Sequence, residues 1–263
     1  MRLFLLIGLA APLWGDGIMT SLKPETRAAF EAYVKAEEAK LPSMLATPTP
    51  TVGMAAGALR PTEIMIKNMS GKGPIRVTEG IIHDWVGAIL VPGSTAQQAL
   101  NMLQSYDEIK NLYKGEVLDS KLMWRKGNKL HPYLQLYKKK VITVVLNTEY
   151  DVEYFEQRPG LWLGKSYSTK IAELANFGKN QQELPVDTGH GFMWRFDTYW
   201  MVEQRPEGVY LECRAISLSR SIPRGLGWAI EPFVSGVPRE SLENTLRVTR
   251  DQLLRTQEPT LKK

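Results

Sequence analysis

The residues able to do chemistry in this chain are few and scattered. The three histidines, His83, His131 and His190, have no metal-ligand spacing such as H-E-x-x-H. His83 and Asp84 are neighbours in an extended stretch, so their side chains point to opposite faces and cannot act directly as a base and its orienting acid. No G-x-S-x-G elbow, phosphate loop or dinucleotide fingerprint is present. The one cysteine, Cys213, rules out an internal disulfide and argues against a structural zinc site. Inside a strand pattern it reads as a small apolar side chain. No metal, no cofactor and no catalytic residue is therefore expected. His83 reads as a hydrogen-bonded core or rim residue, and His190, between Gly189 and Gly191, as a loop residue. Arg195 and Arg214 have the chemistry to clamp a ligand carboxylate. The strand pattern puts them on one face with Asp197 and Glu212, which predicts structural salt bridges instead.

What remains is chemistry by burial. From Gly191 to Arg220, aromatic, β-branched and other residues alternate on either side of Arg205-Pro206-Glu207-Gly208, the signature of an antiparallel hairpin. With the turn centred between Pro206 and Glu207, Trp200 faces Cys213, Thr198 faces Ala215 and Phe196 faces Ser217. One face then carries Trp194, Phe196, Thr198, Trp200 and Val202 against Leu211, Cys213, Ala215, Ser217 and Ser219. The other carries Arg195, Asp197, Tyr199 and Glu203 with Tyr210, Glu212 and Arg214, and reads as solvated or salt-bridged. A one-residue slip would undo the sorting. Large rings opposite small side chains leave space, so His83, Trp85, Trp194, Phe196, Thr198, Trp200, Cys213 and Ser217 are the candidate lining of a ligand cavity. Each ring taken alone fits plain core packing equally well; the set is what suggests a cavity.

The elements that must position this hairpin can be read in order. Met1-Arg2 and the apolar run to Gly15 have the length of a secretory signal, which implies export to the periplasm or beyond. Lys23-Pro24-Glu25-Thr26 opens a helix in which Ala29, Phe30, Tyr33 and Val34 share a face, with Glu37 and Glu38 on the wet side. Leu41 to Val52 is a proline- and threonine-rich connector, and Glu63 to Ile66 a short strand. Thr78 to Pro92 is a strand apolar on both parities. Ser94, with Gln97 three places on, caps a helix whose apolar stripe runs from Ala99 to Tyr113 and stops at Gly115. Extended segments follow at Val117–Arg125, Lys129–Lys138, Val141–Phe155 and Leu161–Leu174, then a polar loop from Asn176 to Thr188 and the hairpin. Leu226 to Val234 is short and apolar. Pro238 starts a last helix with Leu242, Thr245, Leu246, Thr249 and Leu253 on one face. Strands in sequence make a meander, and the last helix must cover its apolar side.

That order, and the residues themselves, resemble a bacterial branch of the START-like superfamily, the polyketide cyclase and SRPBCC proteins. The resemblance is carried by His83-Asp84-Trp85-Val86-Gly87, Val91-Pro92-Gly93, Trp194-Arg195 with Tyr199-Trp200, Ser217-Leu218-Ser219-Arg220 with Ile222-Pro223, and Pro238-Arg239-Glu240-Ser241-Leu242. It spans Leu22 to Leu254. It implies an α+β helix-grip fold: a curved antiparallel sheet wrapped around a long C-terminal helix, here with an extra N-terminal helix. It also implies a cavity for an apolar small molecule or lipid. The expected division is a signal peptide over 1–15, an N-terminal helix and connector over 16–56, a START-like ligand-binding domain over 57–256, and a disordered tail over 257–263.

Composition fits this reading. The chain has 263 residues, 43% hydrophobic and 23% charged, which is ordinary globular usage. The net charge of +5 is spread among acids, with Lys138-Lys139-Lys140 the longest basic run. That argues against nucleic acid and is compatible with transient contact with a membrane surface. Three functions are weighed: binding, with or without transport, of a hydrophobic small molecule or lipid; a cyclase- or hydratase-type enzyme using His83 in the same cavity; and an interaction module with a filled core.

Overall fold

The computed structural model describes residues 19–54, 59–71, 73–140, 142–222 and 236–257. The signal-like stretch 1–15, the apolar Leu226–Val234 and residues 258–263 of the expected tail lie outside these.

Along the chain, a two-residue strand β1 (Thr20–Ser21) precedes helix α1 (Pro24–Glu38) and the single turn α2 (Leu41–Leu45). Proline stands at the start of both helices, where its missing N–H costs nothing and its fixed φ suits a helix. Strands β2 (Ile64–Asn68), β3 (Ile75–Val77) and β4 (Gly80–Pro92) follow. Helix α3 (Ala96–Leu103) is capped by Thr95, one residue later than expected: Gln98 N–H donates to the Thr95 hydroxyl and the Gln98 side chain accepts from Thr95 N–H. The expected single stripe to Tyr113 is broken, because after Leu103 the chain passes through a 3-10 turn (Tyr106–Glu108) into α4 (Ile109–Leu112).

The meander is β5 (Val117–Lys126), β6 (Lys129–Lys139), β7 (Thr143–Arg158) and β8 (Leu161–Ala175), close to the four extended segments read from sequence. The polar loop after β8 contains two short strands, β9 (Gln182–Glu183) and β10 (Thr188–Gly189). Then come β11 (Arg195–Arg205), β12 (Gly208–Arg220) and α5 (Val237–Arg255). The hairpin register is the one expected: Trp200 pairs with Cys213, Thr198 with Ala215 and Phe196 with Ser217.

All strand pairs are antiparallel, and the main sheet runs β2-β4-β12-β11-β8-β7-β6-β5, with β3 also on β4. Because β4 lies near one edge and β5 forms the other, α3 and α4 must carry the chain across the sheet. Helix α5, about 28 Å long, lies on that same inner face and touches β4, β12 and β2. This is the helix-grip α+β fold, with a curved antiparallel sheet around the C-terminal helix.

Of the two readings of the outer face, solvated or salt-bridged, the second holds. It is not solvated: α1, α2 and the connector cover it, burying Phe30, Val34, Leu41, Leu45, Val52 and Met54 against Ile82, Val86, Ala88, Tyr199, Met201, Tyr210, Ile216 and Leu218. Glu37, expected on the wet side of α1, is shared between the exposed Lys40 and the buried Arg214. Its Oε2 takes a hydrogen bond from Arg214 Nη2 at 2.8 Å, and Arg214 is 1% exposed. Arg214 also reaches Asp84 through Nε (2.9 Å) and Nη2 (2.5 Å), and Tyr33 donates to the same carboxylate at 2.7 Å. The expected salt bridges are thus present, with other partners than Asp197 and Glu212. Arg195 pairs with Asp187 at 2.7 Å, while Glu212 accepts from Tyr210 (2.6 Å), Thr51 (2.9 Å) and the Val52 N–H (2.7 Å). Glu38 is engaged as well, by Tyr167 and by Lys165 at 3.4 Å.

Candidate functional site: a cavity under the C-terminal helix

Between the inner face of the sheet and the helices that cross it lies a cavity of about 310 Å³, inside the range of roughly 300–1,000 Å³ usual for small-molecule sites. Its floor comes from strands. On β12 the inward residues Cys213, Ala215, Ser217 and Ser219 are all small, so β12 and the sheet around it cannot fill the space below α5. Phe196, Thr198 and Trp200 of β11 stand beside them, and β7 adds Tyr150, Val152 and Tyr154. Gly164 of β8 admits the Tyr154 ring, since a Cβ there would lie 2.6 Å from its Cε1. The roof is Leu103, Tyr106, Ile109 and Tyr113 from the crossing segment with Leu242 and Thr245 of α5.

Six of the eight residues singled out from sequence, His83, Phe196, Thr198, Trp200, Cys213 and Ser217, lie on this wall. Trp85 and Trp194 do not, and their placement corrects the expectation. Trp85 has the right parity, but α5 comes down on β4 next to it. A Cβ on Gly87 would collide with Leu246 of α5, and the Trp85 ring packs into the cluster that holds Leu242 and Leu246. Trp194 precedes β11, so strand alternation does not reach it. Its ring lies against Gly191, whose φ of +70° and close contact leave no room for a side chain, and it joins the outer core with Leu22 and Phe30.

The polar groups of the wall are mostly neutral. His83 is 3% exposed and its Nε2 lies 3.4 Å from the Ser219 hydroxyl. Burial lowers its pKa to about 4, so the ring is uncharged at neutral pH. Burial likewise raises the Cys213 thiol, which removes it as a nucleophile. At the rim, Lys138 pairs with Glu116 at 2.5 Å, and Asn244 of α5 donates to the other Glu116 oxygen at 2.7 Å. This ties the helix to the strands across the opening. Phe192 and Met193 reach the wall from a loop held by Glu173, which accepts from the N–H groups of His190 (2.8 Å) and Gly191 (2.7 Å) and from His190 Nδ1 (2.9 Å). Glu173 and the β7 tyrosines escaped the sequence reading. The tyrosines had a signal: on β7 Val144, Leu146, Tyr150, Val152 and Tyr154 share one parity, while Asn147, Glu149, Asp151 and Glu153 share the other. Glu173 had none, since its partners are backbone groups of a distant loop.

Of the other histidines, His131 stacks on Trp124 (centroids 5.4 Å apart) and contacts Asp151 at 2.8 Å on the surface. Among the described residues no cluster of three or more potential metal ligands occurs, and no helix is long and apolar enough to cross a membrane.

Protein-family models and curated proteins give no match to this chain. Solved structures do. One is the STAR-related lipid transfer protein (fragment 25–204) of Xanthomonas axonopodis, at 15% identity over 69% of this chain and 98% of that one, TM-score 0.48. Human STARD10 matches over 95% of this chain and 90% of its own at 9% identity, TM-score 0.47. The Zhui aromatase/cyclase of a Streptomyces species matches over 66% and 94% at 11% identity, TM-score 0.43. These are proteins of the START-like kind that the sequence motifs resemble. At such identities and scores the fold rests on this chain's own strand order and on the helix seated against its sheet.

Proposed function

We propose that this protein binds, and carries, a hydrophobic small molecule or lipid in the cavity under α5. The observation behind the reading is the combination of about 310 Å³ of space with walls built from Phe196, Trp200, Tyr106, Tyr113, Tyr150, Tyr154, Val152 and Leu242. Burying apolar ligand surface there contributes about 25 cal/mol per Å² removed from water. No rearranged charge or metal is required. The reading includes export: the apolar N-terminal stretch acts as a secretory signal, and fractionation of cells should place the protein outside the cytoplasm.

Native mass spectrometry of the protein from its own compartment, followed by organic extraction, tests the binding. A stoichiometric apolar molecule is the expected result. An empty protein that also ignores a panel of lipids and quinones would sink the reading in favour of an interaction module.

One observation favours an enzymatic alternative: His83 is on the wall, with its Nε2 3.4 Å from the Ser219 hydroxyl. A cyclase or hydratase using it would lose turnover in His83→Gln, whereas a carrier would keep its ligand.

A further inference from the structure

The wall also carries information about the occupant's head group, an inference that rests on the cavity being a ligand site. The side chain of Tyr150 lines the cavity and is 4% exposed. Its hydroxyl makes no hydrogen bond of ordinary geometry among the described residues; the Thr148 hydroxyl beside it is already donated to the Leu134 carbonyl. The ring is not free to turn away, since it meets Phe196 edge-on with centroids 6.4 Å apart. A buried hydroxyl without a partner is costly. Burial keeps its proton on, so what it offers is a donor. Tyr199 on the outer face also makes no hydrogen bond of ordinary geometry, but it stands beside Glu38 and Tyr167 and is not among the residues lining this cavity.

The second observation is the state of the charges. Among the described residues of the wall, the ionisable groups other than tyrosine, histidine and cysteine are Glu116, Lys138 and Lys165. Lys138 is paired with Glu116 and Lys165 with Glu38. The rest of the polar wall is hydroxyl: Ser166, Thr198, Ser217, Ser219, Ser241 and Thr245. An anionic head drawn into this space would find no free cation among the described residues of the wall, and an unpaired ion out of water is strongly disfavoured.

We infer that the occupant is an uncharged hydrophobe whose hydrogen-bond-accepting head, a ketone, ester or alcohol oxygen, sits at the Tyr150 hydroxyl, and that carboxylate- and phosphate-headed lipids are rejected. Selection is by the absence of a counter-ion as much as by the presence of a donor.

The test uses the full chain and a neutral apolar dye, Nile red, displaced by a matched series: dodecan-2-one, dodecan-1-ol, dodecane and dodecanoate, at pH 8. The ketone and alcohol should displace the dye at concentrations at least about tenfold below dodecanoate. Tyr150→Phe should weaken the ketone about fivefold while leaving dodecane unchanged. Equal displacement by ketone and carboxylate, or a ketone-to-dodecane ratio that Tyr150→Phe does not move, would overturn the inference. Failure of the dye to bind at all, in wild type and in the cavity-filling Ala215→Phe alike, would overturn the ligand-site reading beneath it, and is recognisable as such.

Discussion

The two faces of one sheet have been built to opposite specifications. Along β12, residues 212, 214, 216 and 218 point outward and are Glu, Arg, Ile and Leu; residues 213, 215, 217 and 219 point inward and are Cys, Ala, Ser and Ser. The outward set is large, charged in part, and closed over by α1. Its buried cation is matched, Arg214 by Asp84 and Glu37, and Glu212 is held by neutral donors. The inward set is small and neutral, and α5 does not descend far enough to fill what it leaves. A sheet need not divide its faces into core and solvent. Here it divides them into a solid side, which holds the fold, and a hollow side, free to serve a ligand.

The largest expected effect comes from breaking the solid side. Arg214→Leu strands the buried Asp84 without its cation, while Glu37 keeps Lys40, and should cost about 3–5 kcal/mol in urea unfolding. If the loss is below about 1 kcal/mol, the outer face does not hold the fold as described. Volume added to each face gives the next contrast. Ala88→Phe, in the filled outer core, should destabilise by about 1–3 kcal/mol or more. Ala215→Phe, into the cavity, should change stability by less than about 1 kcal/mol and abolish dye binding. Equal costs would erase the distinction.

Titration offers a subtler contrast, because the faces respond to pH with opposite sign. On the outer face, burial raises the Asp197 carboxyl to about 7, above its unfolded value, so its contribution is full near pH 4 and is lost as pH rises towards 7. On the inner face, burial lowers His83 to about 4, so its contribution is full above about pH 6.5 and is lost as pH falls towards 4. In wild type the two largely offset. Asp197→Asn should therefore lose stability, relative to wild type, as pH drops from 7 to 4, and His83→Gln as pH rises over the same range, each by a few kcal/mol at most. Chemical denaturation at several pH values reads this, and parallel profiles for the two variants would refute it. The smallest effect distinguishes two tyrosines. Without ligand, Tyr199→Phe and Tyr150→Phe should each change stability by less than about 1 kcal/mol, since neither hydroxyl makes a hydrogen bond of ordinary geometry. With an acceptor-headed ligand bound, only Tyr150→Phe should show a lower melting temperature than wild type.

Much of this was legible in the sequence, and the failures have identifiable causes. Alternation about Arg205-Pro206-Glu207-Gly208 fixed the hairpin register to the residue, because a period of two tolerates no slip where one face is packed. The same alternation sorted Phe196, Thr198, Trp200, Cys213 and Ser217 onto the cavity wall. It misled at Trp194, which lies one residue outside the strand, and at Trp85, whose space was taken by a helix that strand periodicity cannot see. The salt bridges of the outer face were foreseen for Arg195 and Arg214, but not their partners, Asp187 for the one and Asp84 with Glu37 for the other. Their compensation is tertiary: no local pattern links a residue of α1 to one of β12.

That link has a temporal side. Arg214 follows Asp84 by 130 residues and Glu37 by 177. At a synthesis rate of about 5–20 residues per second, α1 waits roughly ten to thirty-five seconds for its partner to be made. Through that interval β4 also lacks β12, the neighbour that separates it from the rest of the meander, and the carboxylates of Glu37 and Asp84 stay hydrated. Arrival of a single arginine then closes the outer layer and brings the two ends of the chain's history together in one contact. Such long-range closure is slow to find, so a pulse-labelled chain released before residue 214 should hold its α1 amides unprotected, and one released after β12 should protect them.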